Sequence, residues 1–362
     1  MKSRKKILLI SSSAQLGGGP KHIFLLKDLL KDKYDFYFAL PKSDLFKNKL
    51  DLDKYMEIKE RRISFSDIYK LAIFSKRNSI DIIHSHGKGA GLIGRIIKIF
   101  LMKPLIYTFH GVHTSCLNNF QKYLYILYEK LTGWIDDEKI FVSQSEMQQA
   151  NKLNLFSGKY YSIINNATRE MPIKKEFKSE DGNFKMGIKN TNRNIISICR
   201  LVDQKNIFEI FRIADGLPEY NFIVLGYGYL YLEACKFLST NNISNVYLFG
   251  NKKNVFEYLY KSDLFLTTSL YEGHPISVIE AMSIGMPILA SKVTGNCDTI
   301  SHNVSGLFYK LGDIKQAQDF ISLIMENPEI RCNLSLNAYK THRSKFSLLG
   351  MKKSYLEIYN SF

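Results

Sequence analysis

Residues 269–290 read Ser269-Leu-Tyr-Glu-Gly-His-Pro-Ile-Ser-Val-Ile-Glu-Ala-Met-Ser-Ile-Gly-Met-Pro-Ile-Leu-Ala290. The pattern predicts a loop followed by a helix that begins near Pro275 and ends at Gly285. Pro287 then starts a short apolar strand. Strand, loop, helix and strand in this order are typical of an α/β fold with a parallel sheet.

Two carboxylates and a helix start lie together in this segment. Glu272 belongs to the loop, and Glu280 falls in the second turn of the helix. Backbone N–H groups in the first turn of a helix have no intrahelical acceptor and suit a phosphate. The donors expected here are those of Ile276, Ser277 and Val278. Carboxylates beside a phosphate site must bind hydroxyl groups, and a nucleoside diphosphate sugar offers both.

Short apolar runs alternate with amphipathic stretches along the rest of the chain, which is typical of parallel strands joined by crossover helices. We predict strands in the N-terminal half at 6–11, 36–39, 82–84, 105–109, 139–142 and 161–164. In the C-terminal half we predict strands at 195–199, 221–225, 246–249, 264–267, 287–290 and 306–309. A polar stretch between them reads as a linker. Two doubly wound α/β domains follow, with a ligand cleft expected at the carboxyl ends of the strands.

The composition is that of an ordinary globular protein. The 362 residues are 45% hydrophobic and 23% charged, which excludes disordered and low-complexity classes. Five cysteines form no Cys-x-x-Cys pair and favour buried thiols in a reducing compartment; they are Cys116, Cys199, Cys235, Cys297 and Cys332. The basic N-terminus precedes too short an apolar run for export, and no stretch is apolar enough to span a membrane. We therefore expect a cytoplasmic protein.

The positive charge is concentrated in the N-terminal half. The net charge is +16, and residues 1–170 carry 28 Lys and Arg against 16 Asp and Glu, whereas residues 171–362 carry 22 against 18. This asymmetry is compatible with an anionic membrane surface or with general lysine richness. No nucleic-acid-binding signature accompanies it. The candidate membrane contacts are Lys42, Lys47, Lys49, Lys54, Arg61, Arg62, Arg95, Lys98 and Lys103.

Two further sets of residues follow predicted strands of the N-terminal half. Ser11-Ser-Ser-Ala-Gln-Leu-Gly-Gly-Gly-Pro-Lys-His22 places three glycines before a helix opened by Pro20, which suits an anion or a merely structural tight turn. His84 and His86 are two residues apart and could suit a metal, but no third ligand is evident. His110 reads as the lining of a polar cleft, whereas His84 and His113 read as structural.

The Glu272-x7-Glu280 segment resembles the donor-site signature of retaining glycosyltransferases of family 4, which have the GT-B fold of two Rossmann-like domains facing across a cleft. The resemblance extends over nearly the whole chain. Its further motifs are Gly17-Gly-Gly-Pro-Lys-His22, Thr108-Phe-His-Gly111, Ile196-Ser-Ile-Cys-Arg-Leu-Val-Asp-Gln-Lys-Asn206, Val224-Leu-Gly-Tyr-Gly228, Ser305-Gly-Leu-Phe308 and the helix that follows Phe346. It implies domains at 1–168 (acceptor) and 195–345 (nucleotide sugar), a linker at 169–194, and a C-terminal helix at 346–362 that returns to the first domain.

The resemblance also implies roles for the site residues. Arg200 and Lys205 would neutralise the diphosphate leaving group, and Glu280 would accept hydrogen bonds from the ribose. Glu272 would bind hydroxyls of the donor sugar, and His110 would contact the donor sugar or the acceptor. Backbone groups would complete the phosphate site, at Gly18, Gly19, Gly273, Ile276, Ser277 and Val278.

The implied activity is that of a retaining, hexosyltransferase-type enzyme that needs no cofactor or metal. It would move a sugar from a nucleoside diphosphate donor, with UDP expected on family frequency, to a glycan or lipid-linked acceptor in bacterial polysaccharide biosynthesis. The alternatives are a GT-B sugar-nucleotide epimerase and an inactive nucleotide-sugar-binding protein. A nicotinamide-dependent oxidoreductase would leave the two glutamates unexplained. Asp51-Leu-Asp53, which has the letters of a metal-binding Asp-x-Asp motif, is expected to be solvent-exposed.

Three positions depart from the family pattern. Asn165-Asn166-Ala167 replaces the usual Pro-Asn-Gly after the last N-terminal strand. Tyr227 and Tyr229 replace the Asp and Pro of a Gly-Asp-Gly-Pro turn, and Asn296-Cys-Asp298 replaces Gly-x-Pro-Glu. These changes leave the predicted fold intact but loosen any inference about the base or the sugar.

Overall fold

The chain forms two compact units, each built around one parallel sheet. A computed structural model describes residues 4–13, 18–43, 50–60, 62, 64–112, 118–155, 161–174, 188 and 193–362. The N-terminal unit comprises Met1–Asn166 together with Leu349–Phe362, and the C-terminal unit comprises Ala167–Leu348.

The N-terminal unit contains a seven-stranded sheet. Its strands are β1 (Lys6–Ser11), β2 (Asp35–Leu40), β3 (Tyr55–Glu57), β4 (Ile82–His86), β5 (Leu105–Thr108), β6 (Glu138–Phe141) and β7 (Tyr161–Ile163). Its first helices are α1 (Gly18–Leu30), α2 (Phe65–Arg77), α3 (Lys88–Leu101), α4 (Asn119–Thr132) and α5 (Gln144–Lys152). The strand order is β3-β2-β1-β4-β5-β6-β7, and neighbouring strands are parallel. The order reverses between β1 and β4.

The C-terminal unit contains a six-stranded sheet. Its strands are β8 (Asn194–Ile198), β9 (Asn221–Leu225), β10 (Val246–Gly250), β11 (Leu264–Thr267), β12 (Ile288–Ser291) and β13 (Leu307–Tyr309). Its helices are α6 (Ile207–Asp215), α7 (Tyr231–Thr240), α8 (Val255–Tyr260), α9 (Ile276–Ser283), α10 (Thr294–Thr299), α11 (Ile314–Glu326) and α12 (Pro328–Lys345). The strand order is β10-β9-β8-β11-β12-β13 and all pairs are parallel.

The sheets are buried on both faces, which explains why their strands are continuous apolar runs. In β8, Ile195 and Ile196 are both buried, yet they belong to different apolar clusters because successive side chains point to opposite faces. Ile195 packs with residues of α6 and α11, and Ile196 packs with residues of α9. Helices therefore cover the sheet on both sides, as in a doubly wound fold.

The last helix, α13 (Leu348–Ser361), packs within the N-terminal unit from Leu349 onward. Its buried face consists of Met351, Tyr355 and Tyr359, which follow one another at helical spacing of four. Tyr34 donates a hydrogen bond to the side chain of Asn360 at 2.8 Å. The chain therefore returns to its first unit at its end.

The predicted fold class, two Rossmann-like parallel sheets, is confirmed. The predicted strand ends agree with the observed ones to within two residues, but β3 was not predicted. It is a three-residue edge strand that pairs with β2 at Phe38–Tyr55, and it ends on a charged residue, Glu57. Such a short, polar edge lacks the apolar run that identifies the buried strands.

Two expectations about helices and thiols are corrected. α1 begins at Gly18, so Pro20 lies inside its first turn and does not open it. Cys235, Cys297 and Cys332 are exposed free thiols rather than buried ones, and Cys199 is half-buried. Burial raises the pKa of Cys199 to about 11, so it remains protonated at neutral pH.

Several expectations fall outside the described residues. They concern Gly17, His113, Cys116 and most of the predicted linker at 169–194. Asp51 and Asp53 are exposed, as predicted. Within the described part of the chain, no helix combines the length and the apolar character needed to cross a membrane.

Candidate active site

The candidate site lies where the strand order of the C-terminal sheet reverses. β8 and β11 are parallel neighbours, and the connections that leave them run in opposite directions across the sheet. In open α/β sheets, ligands bind outside the carboxyl ends of the strands at such a point. The loop after β8 carries Arg200 and Lys205, and the loop after β11 carries Glu272. The topology thus brings together residues that are far apart in the sequence.

Lys205 and Glu272 form a buried ion pair. The Lys205 ammonium contacts Oε1 of Glu272, and Ser269 donates a hydrogen bond to the same oxygen at 2.6 Å. Glu272 is only 6% exposed. A buried carboxylate needs a counter-charge and hydrogen-bond donors, and Lys205 and Ser269 supply them. Sequence reasoning identified both members of the pair but not Ser269.

Backbone contacts hold the two loops in register. The amide of Leu270 donates to the carbonyl oxygen of Gln204 at 2.9 Å, and the side chain of Gln204 donates to the carbonyl of Tyr271 at 2.9 Å. The Thr268 hydroxyl donates to the carbonyl of Lys205 at 2.9 Å. These residues were not predicted, because a side chain that bonds to a distant backbone leaves no periodic pattern. They fix Lys205 opposite Glu272.

Arg200 is positioned by the glycine turn that follows β9. A Cβ atom at Gly226 would lie 1.8 Å from the carbonyl oxygen of Cys199, and one at Gly228 would lie 2.2 Å from that of Leu201. Gly226 also has a φ of +137°. The turn can approach the backbone on either side of Arg200 only because both positions lack a side chain. The predicted Val224–Gly228 motif therefore supports the loop that carries Arg200.

The helix after Glu272 begins as predicted, with one difference in its free donors. Pro275 is the N-cap of α9, and Gly285 follows the helix with a φ of +71°. The amide N–H of Val278, however, donates to the carbonyl of Pro275 at 3.2 Å, so it is not the free donor that we predicted. Ile276 and Ser277 occupy the first two helical positions, whose N–H groups have no intrahelical acceptor. The phosphate-binding potential of α9 therefore lies with these two.

The surroundings of α9 are tightly packed. A Cβ atom at Gly295 would lie 2.6 Å from the carbonyl oxygen of Gly273, so α10 abuts the loop that carries Glu272. Glu280 lies in the second turn of α9 and is half-buried. His274 is buried against the ring of Phe346, and burial lowers its pKa to about 4. His274 is therefore neutral at pH 7, and sequence reasoning had assigned it no role.

A second cluster lies in the N-terminal unit and contains His110. Nδ1 of His86 and Nε2 of His110 are 3.1 Å apart, and the ring of His22 lies 5.1 Å from that of His110. Burial lowers the pKa of His86 and His110 well below the ordinary value, so both rings are neutral. In a hydrogen bond between two neutral imidazoles, one donates and the other accepts, and this fixes their tautomers relative to each other.

The other members of the cluster tie α13 to the sheet. His22 contacts the Tyr355 hydroxyl at 2.8 Å and the Asn166 side chain at 3.0 Å. His84 contacts the Tyr359 hydroxyl at 2.7 Å and Thr108 at 2.7 Å. His84 is structural, as predicted, whereas the role of His22 was not foreseen. Across the described residues, no group of three or more His, Cys, Asp or Glu side chains has the arrangement of a metal site.

Gly18 and Gly19 are the glycines predicted to contact phosphate. They are the first residues of α1, which begins after the loop that follows β1. Residues 14–17 of that loop are not described. The backbone of α1 thus starts at the carboxyl edge of the N-terminal sheet, where its strand order reverses.

Both halves of the chain match known family models. Residues 17–167 match the model of Glycosyltransferase Family 4, and residues 178–341 match the model of Glycosyl transferases group 1. An uncharacterised glycosyltransferase of Methanocaldococcus jannaschii is 27% identical over 358 residues, which cover 95% of each chain.

A second relative and a solved structure add to this. The N,N'-diacetylbacillosaminyl-diphospho-undecaprenol alpha-1,3-N-acetylgalactosaminyltransferase of Campylobacter jejuni is 26% identical over 85% of this chain and 87% of its own. The crystal structure of Anabaena HepE in complex with UDP and glucose superposes with a TM-score of 0.83 at 16% identity, covering 99% of this chain and 100% of the other. The sequence matches across both units, together with the shared fold, establish that this chain is a GT-B glycosyltransferase of the family 4 type.

Proposed function

We propose that the protein transfers a sugar from a nucleoside diphosphate sugar, with UDP as the leading nucleotide, to a glycan or lipid-linked acceptor in bacterial cell-surface polysaccharide biosynthesis. The observation that carries the proposal is the buried Lys205–Glu272 pair at the reversal point of the C-terminal sheet. It sets a cation and a carboxylate side by side. A nucleoside diphosphate sugar has a diphosphate that would meet the cation and sugar hydroxyls that would donate hydrogen bonds to the carboxylate.

The diphosphate is assigned to the cations and to the start of α9. Arg200 and Lys205 would stabilise the negative charge that develops on the leaving group, which is commonly the largest catalytic contribution. The N–H groups of Ile276 and Ser277 would bind the phosphate oxygens. Gly18 and Gly19 are assigned to phosphate contact as well. Gly273 provides the backbone that leads from the loop into α9.

The hydroxyl groups are assigned to the two carboxylates. Oε1 of Glu272 already accepts from Lys205 and Ser269, so we expect Oε2 to bind the donor sugar. Glu280 is assigned to the ribose. Nε2 of His110 is bonded to His86, so Nδ1 is the nitrogen that we expect to meet the donor sugar or the acceptor.

Named relatives support the choice of donor and acceptor. HepE of Anabaena was crystallised with UDP and glucose, and the Campylobacter relative is named for a diphospho-undecaprenol substrate. We further propose that the anomeric configuration is retained, with the leaving phosphate helping to deprotonate the acceptor. No side chain of the sequence stands out as an obligatory general base. Two cations and a helix start can stabilise the leaving group, so no metal should be required.

The test compares two substitutions in this site. Lys205→Gln should lower kcat by about 100-fold, because one cation facing the leaving group is lost. Glu280→Gln should raise the dissociation constant for the donor by about 10-fold, because a charged hydrogen-bond acceptor is lost. Transfer from a panel of UDP-sugars to lipid-linked oligosaccharides gives kcat, calorimetry gives the donor affinity, and NMR of the product gives the anomeric configuration.

Matched controls are available on the surface of the same unit. Lys253→Gln and Glu219→Gln make the same chemical changes at exposed positions and should leave both quantities unchanged. Circular dichroism must show that Lys205→Gln is folded, since it leaves Glu272 without its cation. A wild-type kcat in Lys205→Gln together with a wild-type donor affinity in Glu280→Gln would contradict the proposal. So would conversion of the UDP-sugar in the absence of acceptor, which is the behaviour of an epimerase.

A further inference from the structure

Helix α4 of the N-terminal unit turns one apolar side to solvent. The exposed side chains recur every three or four residues and therefore form one stripe along the helix. We call this stripe the α4 face; its members are Phe120, Tyr123, Leu124, Leu127 and Leu131. The side chain of Leu131, for example, is 64% exposed. Tyr125 and Ile126 of the same helix pack against the core cluster that contains Phe141. The helix is therefore apolar on both sides, whereas an ordinary surface helix turns a polar side to solvent.

The opposite side of α4 is held by buried charges. Arg95 of α3, which is 1% exposed, pairs with Glu129 at 2.8 Å and with Asp136 at 2.7 Å. It also donates to the Thr132 hydroxyl at 2.9 Å. Turning α4 to bury its leucines would separate Glu129 and Thr132 from Arg95. The buried guanidinium would then keep Asp136 but lose the carboxylate of Glu129, which is unfavourable. The buried ion pairs thus fix the rotation of the helix and keep the α4 face outward.

The charge and the aromatic residues around the α4 face define the surface that it fits. Glu129 is the one acidic residue within α4 and is buried, whereas Lys130 is exposed beside the stripe. Trp134 follows the helix and is 79% exposed. Tyr and Trp are typical of the boundary between lipid and water, and lysines beside them attract anionic headgroups.

The end of α3 also exposes apolar side chains. Ile99, Phe100 and Met102 are exposed there. α3 and α4 follow the neighbouring parallel strands β4 and β5, and the Arg95–Glu129 pair joins them. The carboxyl ends of the two helices therefore lie at the same edge of the sheet, and Trp134 follows the end of α4 there.

We propose that the α4 face lies in the headgroup region of an anionic lipid bilayer, with the helix parallel to the membrane plane. Exposed apolar residues, an exposed lysine beside them and no exposed acid within the helix are features of an interfacial amphipathic helix. A second copy docked on the α4 face would bring two copies of Lys130 together, and α4 offers no exposed acid to pair with them, so charge favours the lipid. The inference stands independently of the sugar that is transferred.

This surface differs from the basic contacts expected from sequence. Arg95 cannot reach a membrane because it is buried, and Lys54 and Lys98 pair with Asp35 and Asp137. Lys47, Lys49 and Arg61 lie outside the described residues. Lys42 and Arg62 are exposed, and Lys103 lies 3.9 Å from Asp81. The expected basic surface stays a prediction, and the α4 face is a separate, apolar surface beside Lys130.

The experiment measures sedimentation of the full chain with vesicles that contain no polyprenyl lipid. Vesicles of phosphatidylcholine alone are compared with an equal mixture of phosphatidylcholine and phosphatidylglycerol. The wild type should bind the mixture better, and high salt should weaken binding. A double substitution, Leu127→Glu with Leu131→Glu, should lower the affinity at least about tenfold, because it removes buried apolar area and adds charge of the wrong sign.

Leu232→Glu provides the matched control, since Leu232 is an exposed leucine on α7 of the other unit. It should bind vesicles like the wild type. Calorimetry with UDP should give the same affinity for the double variant as for the wild type, which separates this inference from the proposed function. Equal vesicle binding by the wild type and the double variant would overturn the proposal. A wild-type dimer that ignores vesicles and becomes monomeric in the double variant would also overturn it, and would assign the α4 face to a second copy.

Discussion

Mild acid should loosen the C-terminal helix from the N-terminal unit. His22 and His84 contact the hydroxyls of Tyr355 and Tyr359 of α13, and both histidines are fully buried. A buried imidazole can accept a proton only at the expense of desolvating the charge. Protonation in the unfolded chain therefore competes with folding as the pH falls.

The direction and size of the effect follow from His22. Burial lowers its pKa from the ordinary value of 6.5 to about 4, so between these values the unfolded chain binds more protons than the folded one. Stability is therefore unaffected well above pH 6.5 and falls as the pH drops toward 4. For this shift, linkage gives a loss of about 2 kcal/mol at pH 5, or about 30-fold in the opening equilibrium. The pKa values of His84, His86 and His110 are lowered in the same direction and add to the loss.

Hydrogen exchange measured by mass spectrometry on the peptide of α13 tests this, with rates corrected for the intrinsic effect of pH. In the wild type, protection should fall between pH 7.5 and pH 5. In His22→Gln, whose amide can still bond to Tyr355 or Asn166, the pH dependence should shrink by about 2 kcal/mol. His302→Gln changes an exposed histidine of the other unit and should behave like the wild type. Identical pH dependence in His22→Gln and the wild type would refute the reasoning.

Two further outcomes are expected. Sugar transfer should persist in excess EDTA, because Arg200, Lys205 and the start of α9 can stabilise the diphosphate without a metal; activity restored only by magnesium or manganese would argue against this. Gly226→Ala should lower the thermal midpoint much more than Gly312→Ala, because its Cβ would lie 1.8 Å from the Cys199 carbonyl, whereas Gly312, with a φ of +85°, has nothing within 4 Å. Calorimetry measures both melting temperatures. Gly312→Ala should lose only the about 1–2 kcal/mol of backbone strain that a positive φ costs, whereas Gly226→Ala adds a steric clash to that strain. Equal midpoints would show that the turn around Gly226 moves to relieve the clash.

The sequence by itself determined the sheets and the loops that follow them. Strands such as β9 and β11 are predicted to the residue, because a strand buried on both faces must be a short apolar run bounded by polar or turn residues. Arg200 and Lys205 were assigned through the resemblance of the Ile196–Asn206 motif to the family, and their place after such a strand agrees with that assignment. Local constraints of burial and turn geometry leave a signal within a few neighbouring residues, and a single sequence carries that signal.

Only the tertiary structure decided which distant residues meet. Lys205 pairs with Glu272 across 67 positions, and His22 bonds to Tyr355 across 333. The rotation of α4 was equally hidden, because periodicity reports an apolar face but not whether that face is covered. There the pairing of Arg95 with Glu129 fixes which of the two apolar sides faces the core. Burial patterns are local, whereas the partner of a buried charge is set by how the whole unit packs.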